Sequence, residues 1–244
     1  MMYAQFASVY DELMLDIPYP AYVDLVDTAL HGLSGKKILD VACGTGILSV
    51  LLAERGADVT GIDLSKEMLA VARDRASERF PSIEFLHQAM QHLSVSGQYD
   101  AAVIPIDSLN YLENEHDVKQ TFKKVHEALR PGGVFLFDVH STYKTDVLFM
   151  ESPFTYDSKK ISYIWETEEG EEPHSIHSEL AFFVREEDDR YTRFDEVHYQ
   201  RTFPVMTYVE WLEQAGFSVE RIFADWSDEA PEEESERIFF QLRK

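Results

Sequence analysis

Two acidic residues and a glycine pair carry the first chemistry legible in this chain. Asp40 ends the apolar start of KILDVACGTGILS, four residues ahead of Gly44-x-Gly46, and Asp63 ends a second apolar run, DVTGID, twenty-three residues farther on. An ionised carboxylate offers four lone-pair sites to hydroxyl or ammonium donors. A Gly-x-Gly turn lets backbone come close to a ligand, because glycine takes up conformations that a Cβ disfavours. A strand, a glycine turn, a helix and a second strand ending in an acid is the order in which α/β folds hold nucleotide-like ligands.

Two details select among such ligands. Asp40 puts negative charge where a dinucleotide would place its pyrophosphate, and Ser49 stands where G-x-G-x-x-G would have its third glycine. Both disfavour NAD and FAD and favour a ligand with an adenosine, a ribose and an ammonium group but no phosphate. S-adenosylmethionine, leaving as S-adenosylhomocysteine, fits that description. Asp63 would accept both ribose hydroxyls through its two oxygens. Leu64 and Met68 suit the apolar walls of an adenine slot, Met68 suiting a plain core position nearly as well. An NAD-dependent oxidoreductase and a cofactor-binding regulatory protein without transferase activity are the competing readings.

Methyl transfer from a sulfonium is an in-line displacement, so alignment supplies much of the rate and a base is needed only for a protonated nucleophile. Asp107, Ser108, Asn110 and Tyr111 follow the fourth expected strand, and His140 follows the fifth. His140 is the general-base candidate, since imidazole titrates near neutral pH; a substrate-orienting histidine is the alternative. Tyr10 is a candidate lid residue over the cofactor, or else a packed aromatic. Arg201 suits a substrate carboxylate or an internal ion pair. His174 and His177, read as one strand, point to opposite faces, and no metal is expected.

The elements that must position these groups alternate up to about residue 150. Helical spacing predicts helices over 3–14, 20–33, 45–55, 66–79 and 115–129; strands are expected at 37–41, 58–62, 83–87, 99–105 and 134–139, with Arg130-Pro131-Gly132-Gly133 as a turn. The fold class is α/β, a Rossmann-like doubly wound, mostly parallel sheet with ligands at the carboxyl ends of the strands. Period-two patterning over 161–203, rich in aromatic and β-branched residues, predicts an antiparallel β insertion after the fifth strand. A helix at 207–215 and two late strands at 219–226 and 237–243 complete the reading. The domain expectation is a cofactor-binding unit of 1–150 and 206–244, with 151–205 an inserted, substrate-covering subdomain in which Tyr163, Trp165, Asp195, His198 and Tyr199 could meet the acceptor.

Composition bounds the partners. With 45 acids against 22 bases the net charge is −23, and no Lys/Arg stripe is available to neutralise phosphates, so nucleic acid is not expected as a partner. The acids cluster at 166–172, 186–189 and 228–236, as solvated loops would. One cysteine, Cys43, excludes an intrachain disulfide. No apolar run approaches the ~20 residues of a membrane span and no signal architecture opens the chain, so a cytoplasmic location is expected and no membrane partner. Oligomeric state is not legible.

ILDVACGTG, the acid of GIDLS, DSLNYL, LRPGG, FDVH and the late QAGF turn together resemble a class I S-adenosylmethionine-dependent methyltransferase over nearly the whole chain, and FASVYDELM with the β-rich insertion is similar to a bacterial branch whose substrates are mostly unassigned. The resemblance implies that Asp40 binds the methionine ammonium, and it adds Asp107 to the cofactor contacts. It also implies an Asp bonding the adenine amino group after the third strand, where this chain has Ala89. The backbone of Met90 would then bind the ring, with Gln88 or His92 as substitute side chains. The implied acceptor is a small molecule, a protein being the alternative.

Overall fold

The computed structural model describes residues 17–95 and 97–244. The expected helix at 3–14, with Tyr10, lies outside them. The elements run α1 (Tyr19–Leu30), β1 (Lys37–Val41), α2 (Ile47–Glu54), β2 (Asp58–Asp63), α3 (Lys66–Ala76), β3 (Glu84–His87), β4 (Tyr99–Ile104), α4 (Glu115–Ala128) and β5 (Leu129–His140). They continue with α5 (Thr142–Asp146), β6 (Phe154–Asp157), β7 (Ile161–Glu169), β8 (Ser175–Arg185), β9 (Tyr191–Arg201), α6 (Val205–Gln214), β10 (Ser218–Ala224) and β11 (Arg237–Arg243).

The main sheet has seven strands in the order β10-β11-β5-β4-β1-β2-β3. β11 alone runs against its neighbours, pairing antiparallel with both β5 and β10. Every residue of β4 is buried, the pattern of a parallel strand covered on both faces. One face carries α4 and α6 over Phe122, Phe135, Phe137 and Tyr208; the other carries α1, α2 and α3 over Tyr22, Leu52, Leu69 and Phe239. The strand order reverses between β1 and β4, which opens a crevice at their carboxyl ends.

Local chemistry sets the helix starts. Ser65 caps α3 by accepting from the Met68 amide, and Asn114 caps α4 by accepting from Asp117. α2 begins at Gly46 in the left-handed conformation, without a side-chain cap. The Arg130-Pro131-Gly132-Gly133 segment is not a turn between elements. It is an irregularity within β5, where pairing jumps from Tyr99↔Leu129 to Ala101↔Val134.

The insertion forms a second, four-stranded antiparallel sheet in the order β6-β7-β8-β9. Its hairpins turn at Gly170 and in the acidic 186–189 run, while β6 and α5 went unread in the sequence because each is only a few residues long. Among the described residues no helix is long and apolar enough to cross a membrane.

Candidate functional site

The carboxyl ends of β1, β2, β4 and β5 converge on one crevice. Asp40 lies within β1 and is fully buried. Its Oδ2 accepts from Ser49 Oγ at 2.5 Å, while Oδ1 is buried without a hydrogen-bond partner among the described residues. Burial pushes the Asp40 carboxyl up to about 7; the Ser49 hydrogen bond pulls the other way and the Asp63 charge adds to the rise. Ser49 is thus more than an absent glycine. One turn into α2, it orients the buried acid.

The two glycines do different work. Gly44 has φ +53°, and a Cβ there would meet nothing within 4 Å among the described residues, so its open side faces the crevice. Gly46 has φ +77°, and a Cβ would stand 2.9 Å from the Cβ of Ala72 on α3. The first glycine leaves room for a ligand, whereas the second lets two helices pack. A pocket lined by Ala42, Cys43, Gly44, Thr45, Pro105 and Ile106 lies at this reversal point.

Asp63, at the end of β2, is half-buried and held by two backbone amides. Gly44 donates to Oδ2 and Ser65 to Oδ1, each at 2.8 Å. Burial raises its pKa, against those hydrogen bonds. Each oxygen keeps a second lone pair, aimed by its first. Leu64 is 69% exposed beside it, an apolar side chain open to a ligand, while Met68 is 8% exposed and packs as core. Met90 is half-buried at the start of a short 3-10 turn, packed against the core. Gln88 spends its carbonyl oxygen on the amide and hydroxyl of Ser94, at 3.0 and 3.1 Å. It is therefore a poor substitute acceptor for an adenine amino group at Ala89.

A second cluster, which sequence reasoning only half found, sits where β4 and β5 end. Asp107 takes a left-handed backbone, φ 47°. Its Oδ1 accepts from Arg237 Nη2 at 2.7 Å and its Oδ2 from Gln200 Nε2 at 3.2 Å, with His140 Nε2 at 3.3 Å from Oδ2. Burial would raise the Asp107 carboxyl, yet His140 and Arg237 hold it well below the usual range. Asp138, fully buried in β5, accepts from the amides of Ile106 at 2.7 Å and Asp107 at 3.0 Å and pairs with Arg237 Nη1. Arg237 sits opposite His140 in the β11–β5 register.

Asp107, already paired with Arg237, accepts from this ring, so whenever His140 is neutral its proton is on Nε2 and a lone pair on Nδ1. That Nδ1 is buried without a partner. Burial lowers the His140 pKa, with Arg237 and Lys144 adding to the fall and Asp107 opposing it. Asn110 fixes the backbone around it, accepting from His140 N–H at 2.9 Å and donating to Arg201 C=O at 2.8 Å.

Of the insertion residues, His198 faces this end, its ring 5.8 Å from Tyr111, and Trp165 approaches it through Phe149. Asp195 and Tyr199 lie on the opposite face of β9, Asp195 paired with Arg193. Arg201 pairs with Glu172 at 3.3 Å and stacks on Phe203, which is the internal ion pair. His174 precedes β8 rather than lying in it; it meets Asp146 and His177 meets Glu171, so the two share no site.

The family described as "Methyltransferase domain" matches residues 38–133. Over 247 residues the chain is 48% identical to a protein of Geobacillus sp. (strain WCH70) that bears the name "Putative methyltransferase", covering 100% of both. It is 40% identical over 118 residues to a ubiquinone biosynthesis O-methyltransferase of Idiomarina loihiensis, covering 48% of each. Its structure is similar to that of an S-adenosylmethionine-dependent methyltransferase from Clostridium acetobutylicum, at TM-score 0.89 and 29% identity, over 99% of this chain and 98% of that one.

Proposed function

Because this chain belongs to the class I S-adenosylmethionine-dependent methyltransferases, we propose that Asp40, Gly44, Asp63 and Leu64 hold the cofactor and that His140 serves as general base toward a small-molecule acceptor. The residues present fit the cofactor. The orphaned Asp40 Oδ1 suits its ammonium, the open side of Gly44 leaves the cradle clear, and the two aimed oxygens of Asp63 suit vicinal hydroxyls. Met90 would bind adenine through its backbone. Gly46 and Met68 act by packing instead, and Asp107 is better read as the partner of His140 than as a cofactor contact.

When bound, S-adenosylmethionine supplies a methyl group on a sulfonium and leaves with the electron pair of the broken bond. The chain's own part is to align the acceptor and receive its proton. The unpartnered Nδ1 of His140 is the observation that carries this reading: a buried imidazole nitrogen with no partner among the described residues, on a ring whose other nitrogen is held by Asp107. The proton of the acceptor passes to Nδ1, and Asp107 steadies the imidazolium that results.

The small-molecule class is supported by the O-methyltransferase likeness over about half the chain and by the enclosure of His140 behind Phe149. With its net charge of −23 the chain is unsuited to nucleic acid, and the cytoplasm is the compartment this reading assigns. The test is transfer of a radiolabelled methyl group from the cofactor into a protein-free metabolite extract. His140→Ala is expected to lower transfer about 100-fold or more with S-adenosylhomocysteine affinity unchanged. Label that never leaves the cofactor, despite intact binding, would establish the non-transferring reading.

A further inference from the structure

We propose that the face of β7–β9 turned toward His140 is the acceptor's seat, and that Glu196 and Ser178 on it take up a protonated amine at one end of an extended acceptor. The proposal rests on the methyltransferase reading above and goes beyond it by naming the acceptor's chemistry.

Period-two alternation puts Glu196, His198 and Gln200 on one face of β9. That face looks onto the crevice, because Gln200 reaches Asp107 and His198 meets Tyr111. On β8, Ser178 pairs with His198 and Leu180 with Glu196; on β7, Trp165 pairs with Leu180. Ser178 and Glu196 are therefore diagonal neighbours, about 7–8 Å apart at the backbone and within side-chain reach of one ligand.

Among the described residues, three polar atoms of this face, Trp165 Nε1, Ser178 Oγ and Glu196 Oε1, are buried without a hydrogen-bond partner. Ser178 is 2% and Glu196 3% exposed. The fourth such atom near them is His140 Nδ1, linked to Trp165 through Phe149, whose ring lies 5.2 Å from one and 5.4 Å from the other. Folded proteins satisfy nearly all buried polar groups, so a row of exceptions on one face marks a surface completed by something else.

The missing group is cationic. Strand residues on this face are Ile161, Tyr163, Trp165, Thr167 and Glu169, then Ile176 to Val184 in alternation, then Thr192 to Gln200 in alternation, and none is Lys or Arg. Burial pushes the Glu196 carboxyl up, with no positive charge to offset it. An ammonium would pair with Glu196, donate a second hydrogen bond to Ser178 and lie among aromatic rings that favour a cation. Such an amine carries its proton and is not the nucleophile. The methylated atom belongs at the His140 end, and the four residues from Glu196 to Gln200 span about 13 Å.

The experiment supplies labelled S-adenosylmethionine and a protein-free metabolite extract to wild type and Glu196→Gln. The labelled product should be retained by a cation-exchange resin at neutral pH. With the acceptor purified by that property, Glu196→Gln should raise KM about tenfold or more while S-adenosylhomocysteine affinity stays and Tm holds or rises. Ser178→Ala should raise KM by a smaller factor. A labelled product that passes the resin overturns the proposal, as does a Glu196→Gln enzyme with unchanged KM or one whose loss of transfer follows a fall in Tm. Failure of the methyltransferase reading looks different: neither protein yields any labelled product although both bind S-adenosylhomocysteine.

Discussion

At the scale of single residues, the two glycines of one motif should fail in different ways. Gly44→Ala meets no neighbour among the described residues, so beyond the roughly 1–2 kcal/mol of a left-handed alanine it should leave the fold intact. Its methyl group projects into the crevice, and S-adenosylhomocysteine affinity should fall sharply by calorimetry. Gly46→Ala drives a methyl into Ala72, and a large loss of Tm should precede any specific binding defect. Asp40 supplies a pH test. Its folded pKa of about 7 lies above that of an unfolded aspartate, so its contribution to stability is full at acid pH and is lost as pH rises through about 7. An ammonium ligand favours the ionised form. Cofactor binding near pH 6 should therefore release protons, measured by calorimetry in buffers of different ionisation enthalpy, and Asp40→Asn should abolish the release. The places of Asp40 and Asp63 near the ends of β1 and β2 were legible in the sequence because the strand–glycine–helix–strand pattern is local. The role of Ser49 was not: its bond to Asp40 forms only when the loop brings positions nine residues apart together.

At the scale of elements, the antiparallel β11 supplies Arg237, the cation that pairs with both Asp107 and Asp138. Arg237→Met would leave the fully buried Asp138 without its counter-ion, and a loss of about 3–5 kcal/mol is expected in urea denaturation. A milder readout should accompany it. Arg237 depresses the His140 pKa, so its removal should move the acid limb of the kcat/KM profile to higher pH. Helix and strand periodicity made β1, β2, β4, α4 and the hairpins of the insertion readable to within a few residues. The 130–133 segment misled because Pro and two glycines signal a turn in isolation, whereas here the β4 pairing skips them and backbone bonds with Lys244 hold Gly132 and Gly133 in an irregular stretch of β5. Arg237 carried no local signal. Its partners lie 99 and 130 residues away, and only the register of β11 on β5 joins them.

At the scale of the molecule, the charge of −23 acts on everything that approaches. S-adenosylmethionine carries net positive charge and S-adenosylhomocysteine none, so the field should speed capture of the first and ignore the second. Raising salt from about 0.05 to about 0.5 M should slow association of S-adenosylmethionine several-fold, by stopped-flow fluorescence, while S-adenosylhomocysteine changes little. The doubly wound layout was legible as a whole because alternation of period and turn signals repeats along the chain. How the second sheet meets the first was not, since Gln200 to Asp107 and Asn110 to Arg201 are contacts between distant segments. The late arrival of β11 also bears on biosynthesis. On the ribosome Asp107 and Asp138 emerge long before Arg237, so a growing chain holds two acids with no cation to let them be enclosed. The crevice end of β4 and β5 stays hydrated until β11 threads between β5 and β10, and a chain stalled short of β11 should be cut by protease there while β1 to β3 are already protected.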